Sequence, residues 1–173
     1  MKKLIVILYN IRSTYNVGAI LRTCDGFGVD EVIFTGYTPF FDKGLPYEQE
    51  KLRKQIHKTA LGAETTVCWH RDDDISHIIE TCHKEGLKVM ALEQGEHSLN
   101  LAEARDFPPV ALIGGEEVHG IPLDILSHCD ALLEIPMCGQ KESFNVSVAA
   151  SIAIWEVKKA SLNDKRTHLR TKI

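Results

Sequence analysis

Short apolar runs alternate with amphipathic stretches along the whole chain. Candidate strands cover Leu4–Asn10, Val32–Gly36, Thr66–His70, Lys88–Gln94, Val110–Gly114 and Ala131–Pro136. Candidate helices cover Val17–Phe27, Glu48–Leu61, Asp73–Glu85, Pro122–Ser127 and Ser143–Ala160. Several of the strand candidates are almost continuously apolar, which is typical of strands that are covered on both faces. The alternation therefore predicts one α/β domain with a mostly parallel, six-stranded sheet and helices on both faces.

Ligands of parallel α/β sheets bind at the carboxyl ends of the strands, in the loops that lead into helices. Four loops occupy such positions: Asn10–Asn16, Leu92–Leu99, Gly114–Ile121 and Pro136–Ser143. We expect the functional site where these loops meet.

The composition is that of an ordinary globular domain: 173 residues, 44% hydrophobic and 25% charged. No apolar stretch approaches the ~20 residues of a membrane helix, and the run Leu4–Leu8 is too short for the core of a signal peptide. The five cysteines are odd in number and form no C-x-x-C pair, which argues against a disulfide framework and a thiolate zinc site. These features predict a cytoplasmic protein without a metal and without a membrane partner.

Charge is distributed unevenly along the chain. The net charge is −4, yet the segment from Glu156 to Ile173 holds six Lys or Arg against two acids. We therefore divide the chain into a domain of residues 1–157 and a basic tail of residues 158–173. The tail can contact phosphates, or it can be a solvated helix end whose cations suit the helix dipole.

Common catalytic and nucleotide-binding motifs are missing. There is neither a G-x-x-x-x-G-K-[ST] phosphate loop nor a G-x-G-x-x-G after the first strand, and no G-x-S-x-G elbow. The acidic triplet Asp72–Asp74 is best explained by a helix cap from Asp73 or Asp74.

The first loop leads into a helix with two distinct faces. Its apolar residues, at i, i+3, i+4 and i+7 from Val17, predict one buried face. Gly18, Arg22 and Gly26 lie four residues apart on another face. Two helix-weakening glycines indicate either that something bulky approaches near the Arg22 guanidinium or that another helix packs closely there.

Two later loops carry further signals. In Gly114–Pro122, glycines that permit close backbone approach flank two acids, which suit hydroxyl or amine donors better than phosphate. In Leu133–Ala150, an apolar strand meets a proline and a polar loop, and Ser143 is a candidate cap for a long helix. This helix is apolar on nearly every side, and serines recur every four residues from Ser143. It is therefore buried either in a homodimer, which we infer, or inside its own fold.

These three blocks resemble the SPOUT superfamily of RNA methyltransferases, and within it the TrmH family of tRNA/rRNA ribose 2′-O-methyltransferases. The family segment N-x-G-A-[IL]-x-R-T matches Asn16–Thr23, and G-x-E-x-x-G-[IL] matches Gly115–Ile121. The segment I-P-M-x-G…S-[LF]-N-V-S-V-A-A matches Ile135–Ala150. The chain departs from the family with a second acid at Glu116 and with Phe144 where leucine is common. Which of Glu116 and Glu117 faces the site is therefore open.

The resemblance implies a C-terminal deep trefoil knot, a homodimer and S-adenosyl-L-methionine (AdoMet) as cofactor. It implies the cofactor-binding residues Leu92, Gly115, Ile135, Met137 and Phe144. It implies Arg22 as the essential catalytic residue, with Asn16, Glu117, Ser143 and Asn145 organising the site. RNA, either tRNA or rRNA, is the implied partner, and DNA is not expected.

The implied reaction is attack of a ribose 2′-oxygen on the sulfonium methyl group of the cofactor. A guanidinium with a pKa above ~12 is a poor base, so we expect Arg22 to stabilise the developing alkoxide or an adjacent phosphate. The alternative function is a non-catalytic RNA-binding or ribosome-assembly module on the same fold. An unrelated small-molecule α/β enzyme is disfavoured by the missing phosphate-binding motifs.

Overall fold

A computed structural model describes residues 2–41 and 47–170, with side chains described throughout except at 47–49 and 161–170. Within these ranges the strands are β1 Leu4–Tyr9, β2 Glu31–Thr35, β3 Trp69–Arg71, β4 Lys88–Leu92, β5 Leu99–Asn100, β6 Val110–Gly114 and β7 Ala131–Glu134. The helices are α1 Thr14–Phe27, α2 Tyr47–Ala60, α3 Ala63–Thr66, α4 Ile75–Lys84, α5 Leu123–Leu126 and α6 Val146–Arg170. None of the described helices is long and apolar enough to cross a membrane.

The strands form one parallel sheet in the order β3-β2-β1-β6-β4-β7-β5. Central strand β1 pairs on both sides, and its Ile7 lies opposite Ile33 of β2 and Ile113 of β6. The parallel α/β fold is confirmed, but the expected strand number is wrong, since the described residues contain seven strands. The additional strand is β5, whose two residues are too few to produce a recognisable apolar run.

Both faces of the sheet are covered, as predicted. On one face, β1 residues such as Leu4 and Leu8 pack with α1, α2 and α6. On the other face, Ile5 and Ile7 pack with α4 and α5. Alternate residues of β1 therefore enter different clusters, which explains why the strand is continuously apolar.

Capping residues set the beginnings of two helices. Ser13 accepts a hydrogen bond from the backbone N–H of Asn16 (3.3 Å) and begins α1. Asp74 accepts one from the backbone N–H of His77 (3.0 Å) and begins α4, so the cap predicted from the acidic triplet is confirmed.

The beginning and end of α6 differ from the prediction. Ser143 is not its cap, because the helix begins at Val146 and the Asn145 side chain accepts from the backbone N–H of Ser147 (2.9 Å). The helix also continues past Ala160 to Arg170. Lys158, which we placed at the start of the tail, is 1% exposed and pairs with Asp30 (3.0 Å). The core of the domain therefore includes residue 158.

Helix α1 is packed tightly at one of its two glycines. A Cβ atom at Gly18 would lie 2.2 Å from Thr59 Oγ1 and 2.3 Å from the Ile56 carbonyl oxygen. Gly18 therefore lets α1 and α2 touch. A Cβ atom at Gly26 would meet nothing within 4 Å, so the same face is open eight residues later. The buried face of α1 consists of the predicted residues Val17, Ile20, Leu21 and Cys24, together with Gly18.

Candidate active site

The carboxyl ends of β4, β6 and β7 surround a cavity of about 840 Å³. All five residues predicted to bind the cofactor line it: Leu92, Gly115, Ile135, Met137 and Phe144. The predicted residues Glu117, Ser143 and Asn145 line it as well. Three sequence blocks that are far apart in the chain thus meet in one place, as the parallel topology requires.

The charged residues that line this cavity are acidic. Among the described lining residues there is no Lys or Arg, whereas five glutamates contribute: Glu93, Glu116, Glu117, Glu134 and Glu142. We call this space the acidic cavity. Its charge favours a cationic ligand and disfavours a pyrophosphate or other polyanion.

The turn after β6 owes its shape to two glycines. A Cβ atom at Gly115 would lie 2.4 Å from Ile121 Cγ1, and Gly120 has a φ of 68°. A Cβ atom at Gly120 would also come within 2.3 Å of Glu93 Oε2. Glu93 Oε2 itself accepts a hydrogen bond from the backbone N–H of Ile121 (3.1 Å). The loop after β4 is thereby joined to the turn after β6 at a point where no side chain fits.

Glu117 joins this turn to the first loop. Its carboxylate accepts hydrogen bonds from the backbone N–H groups of Arg12 (2.9 Å) and Ser13 (3.3 Å) and from Asn16 Nδ2 (2.8 Å). Burial by itself raises the pKa of this carboxyl group, but these donors outweigh it and hold the pKa below its ordinary value. Glu117 is therefore an ionised anchor, held in place by the loop before α1.

Glu116 forms its hydrogen bonds within the turn after β6. Its carboxylate is buried, accepts from the backbone N–H of His119 (2.7 Å) and contacts His119 Nδ1 (2.8 Å). Burial raises its pKa, and these two bonds lower it to a net value below the ordinary one. Glu116 thus closes its own turn, with Arg12 at 3.6 Å, whereas Glu117 connects the turn to α1.

The third block completes the site. Asn145 Nδ2 donates to Asn16 Oδ1 (3.2 Å), and Asn16 in turn donates to Glu117. One chain of hydrogen bonds therefore connects residues from all three blocks. Ser143 and Phe144 lie beside it on the cavity wall, and Phe144 is 41% exposed.

Arg22 is not brought into the acidic cavity of its own chain. It follows Asn16 by six residues, which turns it about 120° around α1 and moves it about 9 Å along the axis. It lines a second cavity of about 520 Å³, which we call the basic cavity, together with Ala19, Thr23, Gly26, Phe27, Lys58 and Thr59. Within a single chain, Arg22 therefore lies outside the acidic cavity, and its catalytic role stays a prediction.

Sequence reasoning missed several cavity residues. Glu93 and Gln94 come directly after β4, and Gln94 Nε2 donates to the Glu142 carbonyl (2.7 Å) across the cavity. Glu134 lies at the end of β7 and accepts from the Ser98 hydroxyl (2.5 Å). Their only signal is their position at carboxyl ends of strands.

Together these features define a class: a parallel α/β domain with an acidic pocket built from the loops after β4, β6 and β7. Comparison with known proteins identifies the family. Residues 3–155 match the model of the SpoU rRNA Methylase family, and the chain belongs to that family. The predicted relationship to the TrmH-type methyltransferases of the SPOUT superfamily is confirmed.

Individual relatives agree with this membership. The chain is 30% identical over 155 residues to an uncharacterised tRNA/rRNA methyltransferase of Synechocystis, covering 88% of this chain and 37% of the relative. It is 30% identical over 162 residues to the tRNA (guanosine(18)-2′-O)-methyltransferase of Thermus thermophilus, covering 92% of this chain and 76% of the relative. The Synechocystis relative is thus much longer than the part that this chain matches.

A solved structure shows the same fold. The crystal structure of an AdoMet-bound rRNA methyltransferase from Sinorhizobium meliloti superposes with a TM-score of 0.76 at 25% identity. The match covers 92% of this chain and 57% of that one.

Proposed function

We propose that this chain is an AdoMet-dependent methyltransferase that modifies a ribose 2′-hydroxyl of tRNA or rRNA. The observation that carries the proposal is the acidic cavity, in which all five predicted cofactor residues and three predicted site residues meet. Membership of the SpoU family and the AdoMet-bound structural neighbour support it.

The residues of the acidic cavity fit AdoMet. Its apolar wall, with Leu92, Met137 and Phe144, suits an adenine ring and an aliphatic chain, and its glutamates favour the positive sulfonium. Bound AdoMet would supply an electrophilic methyl group. The volume of about 840 Å³ lies within the ordinary range for pockets of this kind.

The hydrogen-bonded chain Asn145–Asn16–Glu117 would hold the reacting groups in position. Its members hold one another through hydrogen bonds within the protein, so these side chains would need little reorganisation during the reaction. Asn145 and Glu117 line the acidic cavity, so the two ends of this chain lie at its wall, where the ribose of a substrate would be held. Preorganisation of reacting groups in the correct orientation is a major source of rate enhancement in transfer reactions.

Arg22 would act in the partner's cavity of a homodimer. The 2′-hydroxyl must lose its proton as it attacks, and a guanidinium stabilises the resulting negative charge or a neighbouring phosphate. Because Arg22 lies on another face of α1 from Asn16, it needs a second copy of the chain to reach a cofactor site.

An apolar stripe on α6 supports the homodimer. Val148, Ile152 and Trp155 follow i, i+4, i+7 spacing, and Val148 and Trp155 are 45% and 43% exposed. The stripe adjoins the Arg22 surface, since Thr23 bonds Ser151 (2.8 Å) and the Phe27 and Trp155 rings are 5.6 Å apart. Ser151 thus serves packing within the chain, while the stripe would meet the partner.

Sedimentation equilibrium tests the homodimer. We expect a dimer for the wild type and a monomer for Trp155→Asp. Leu99→Asp is the control, since Leu99 is similarly exposed (49%) but lies on edge strand β5. A wild-type monomer at micromolar concentration would refute the shared site.

We further propose the deep trefoil knot of the SPOUT fold and a cytoplasmic location. Strand β6 lies between β1 and β4, and β7 lies on the far side of β4, an order that supports a threaded C-terminal region. All five cysteines are free thiols, which supports a reducing compartment. An experimental structure would trace the threading directly, and a tagged chain would reveal the compartment.

Methyl transfer is the direct test of the proposed activity. The protein is incubated with labelled AdoMet and with total tRNA or total rRNA from cells that lack the gene, and the nucleosides are analysed by mass spectrometry. We expect a labelled ribose-methylated nucleoside from one of the two pools. No transfer to either pool, or label on a base, would refute it. Binding of RNA without binding of AdoMet in calorimetry would indicate the non-catalytic module instead.

A further inference from the structure

We propose that the basic cavity is a binding subsite for a backbone phosphate of the RNA substrate, with Lys58 as its second cation beside Arg22. This inference rests on the proposed function and names a substrate-positioning residue that the sequence motifs do not contain. Arg22 comes from α1, whereas Lys58 comes from the last turn of α2. Two elements thus converge on one cavity of about 520 Å³.

The lining of the basic cavity has a simple charge pattern. Arg22 and Lys58 are its charged members, and none of the described lining residues is Asp or Glu. Neither cation forms an ion pair with any residue whose side chain the structure describes. Most other described lysines and arginines do have an acidic partner; Lys54 has Glu50, Lys84 has Glu80 and Lys88 has Asp130. Two cations that have no acidic partner among the described side chains, in one concave surface, attract an anion.

The hydroxyl groups in the cavity are already used. Thr59 Oγ1 donates to the Tyr15 carbonyl (2.9 Å), and Thr23 Oγ1 bonds the Ala19 carbonyl (3.1 Å) and Ser151. These bonds fix the walls of the cavity. The guanidinium and the ammonium are then the donors left for a ligand, and phosphate is the anion that both groups bind well.

The space for a phosphate is created by the glycine pattern of α1. Contact at Gly18 holds α1 against α2, whereas a Cβ atom at Gly26 would meet nothing within 4 Å. A bulky group can therefore approach Arg22 from this side. The two glycines therefore have different roles. Gly18 allows close packing of α1 on α2, whereas Gly26 leaves room beside Arg22 for a ligand.

A phosphate here would also explain the separation of charge in the molecule. The acidic cavity repels the RNA backbone but suits the sulfonium, so the backbone needs a cationic holding point outside it. In the proposed homodimer, the basic cavity of one copy would hold the strand beside the acidic cavity of the other. Lys58 then positions the substrate and does not touch the reacting atoms.

Fluorescence anisotropy of labelled total tRNA and total rRNA, titrated at several salt concentrations, tests the subsite. For Lys58→Gln we expect RNA affinity to fall about fivefold and the slope of log K against log salt to become shallower by about 0.7 to 0.9. Lys58→Arg should restore most of the affinity. Lys84→Gln is the matched control, because Lys84 is also an exposed lysine in the last turn of a helix, and that helix, α4, packs on the opposite face of the sheet.

Calorimetry with AdoMet and methyl-transfer kinetics complete the design. We expect Lys58→Gln to bind AdoMet normally and to raise KM for RNA far more than it lowers kcat. Equal RNA affinity and equal salt slope for Lys58→Gln and Lys84→Gln would overturn the subsite, even if methyl transfer is intact. A loss of RNA affinity through Lys58 in a protein that binds no AdoMet would support the subsite and overturn the proposed activity. A wild-type chain that binds neither RNA pool would overturn both.

Discussion

The two cavities that α1 adjoins have opposite charge. In the acidic cavity five glutamates and no described Lys or Arg surround an apolar wall, whereas the basic cavity has Arg22 and Lys58 without a described acid. Asn16, in the first turn of α1, bonds residues of the first cavity, and Arg22 lines the second. Helix α1 thus has the neutral amide of Asn16 near its beginning and, farther along, the guanidinium of Arg22, which has no acidic partner among the described side chains.

The opposite charges of the two cavities explain how an acidic domain would act on RNA, which is a polyanion. The net charge of −4 would by itself disfavour RNA, and the acidic cavity would repel it most strongly. A cationic cofactor and an anionic substrate require local electrostatic fields of opposite sign, and the two separate cavities would supply them. Dimerisation would bring the two fields together at one reaction centre.

The largest expected effect follows from removing the guanidinium. Arg22→Ala should lower kcat by about 10²- to 10³-fold, since it removes the group that we propose to stabilise the developing charge. Binding of AdoMet should stay unchanged because Arg22 does not line the acidic cavity of its own chain. Single-turnover methyl transfer and calorimetry measure the two quantities. A large loss of AdoMet affinity would contradict the separation of the cavities.

The second effect concerns the glycine turn of the acidic cavity. Gly120→Ala should destabilise the fold by about 1–3 kcal/mol and weaken AdoMet binding, because its φ of 68° and the approach of Glu93 leave no place for a Cβ atom. Chemical denaturation and calorimetry provide the measurement. Gly139→Ala is the control, since a Cβ atom there would meet nothing within 4 Å. Equal stability of the two variants would show that the turn is not constrained in this way.

A smaller effect should depend on pH. The ionised form of Glu117 is favoured in the folded chain, so its contribution to stability is fully present above its ordinary pKa of 4.5 and is lost as the pH falls through its lower folded value. Glu117→Gln should lose about 1 kcal/mol of unfolding free energy at pH 7 and less near pH 3. Urea denaturation at a series of pH values measures the difference. If the difference in unfolding free energy between wild type and Glu117→Gln grew toward low pH, it would contradict a lowered pKa of Glu117 in the folded chain.

The smallest effect is expected from the basic tail. A chain that ends after Ala160 keeps Lys158 and its bond to Asp30, so it should fold normally. It should bind RNA slightly less well and with a shallower salt dependence, because cations near the end of the chain are removed. An unchanged salt slope would identify the tail as a solvated helix end.

The sequence predicted the acidic cavity better than the basic one. The turn Gly115–Gly120 and the block Ile135–Asn145 contain signals that a chain-wide pattern reveals, such as paired glycines and a proline after an apolar strand. Parallel topology then required their loops to meet. The parallel α/β class followed from the same alternation, which missed the two-residue strand β5 and the four-residue helix α3.

The rest depends on contacts between elements. Ser143 and Asn145 are both good capping residues, and only the structure shows that the Asn145 side chain accepts from the backbone N–H of Ser147 where α6 begins. The location of Arg22 depends on which face of α1 meets α2, and Lys58 becomes relevant only when that packing is known. Glu93 and Gln94 lie inside the expected site loop Leu92–Leu99, but only their position after β4 indicates them, because polar residues after a strand are common.

The most direct test of the account is a crystal structure of the protein grown with AdoMet. We predict electron density for the cofactor in the acidic cavity, against Leu92, Met137 and Phe144. We also predict that the basic cavity of a partner copy faces this cofactor. Cofactor density at any other place, or in a cavity that no second copy approaches with Arg22, would contradict it.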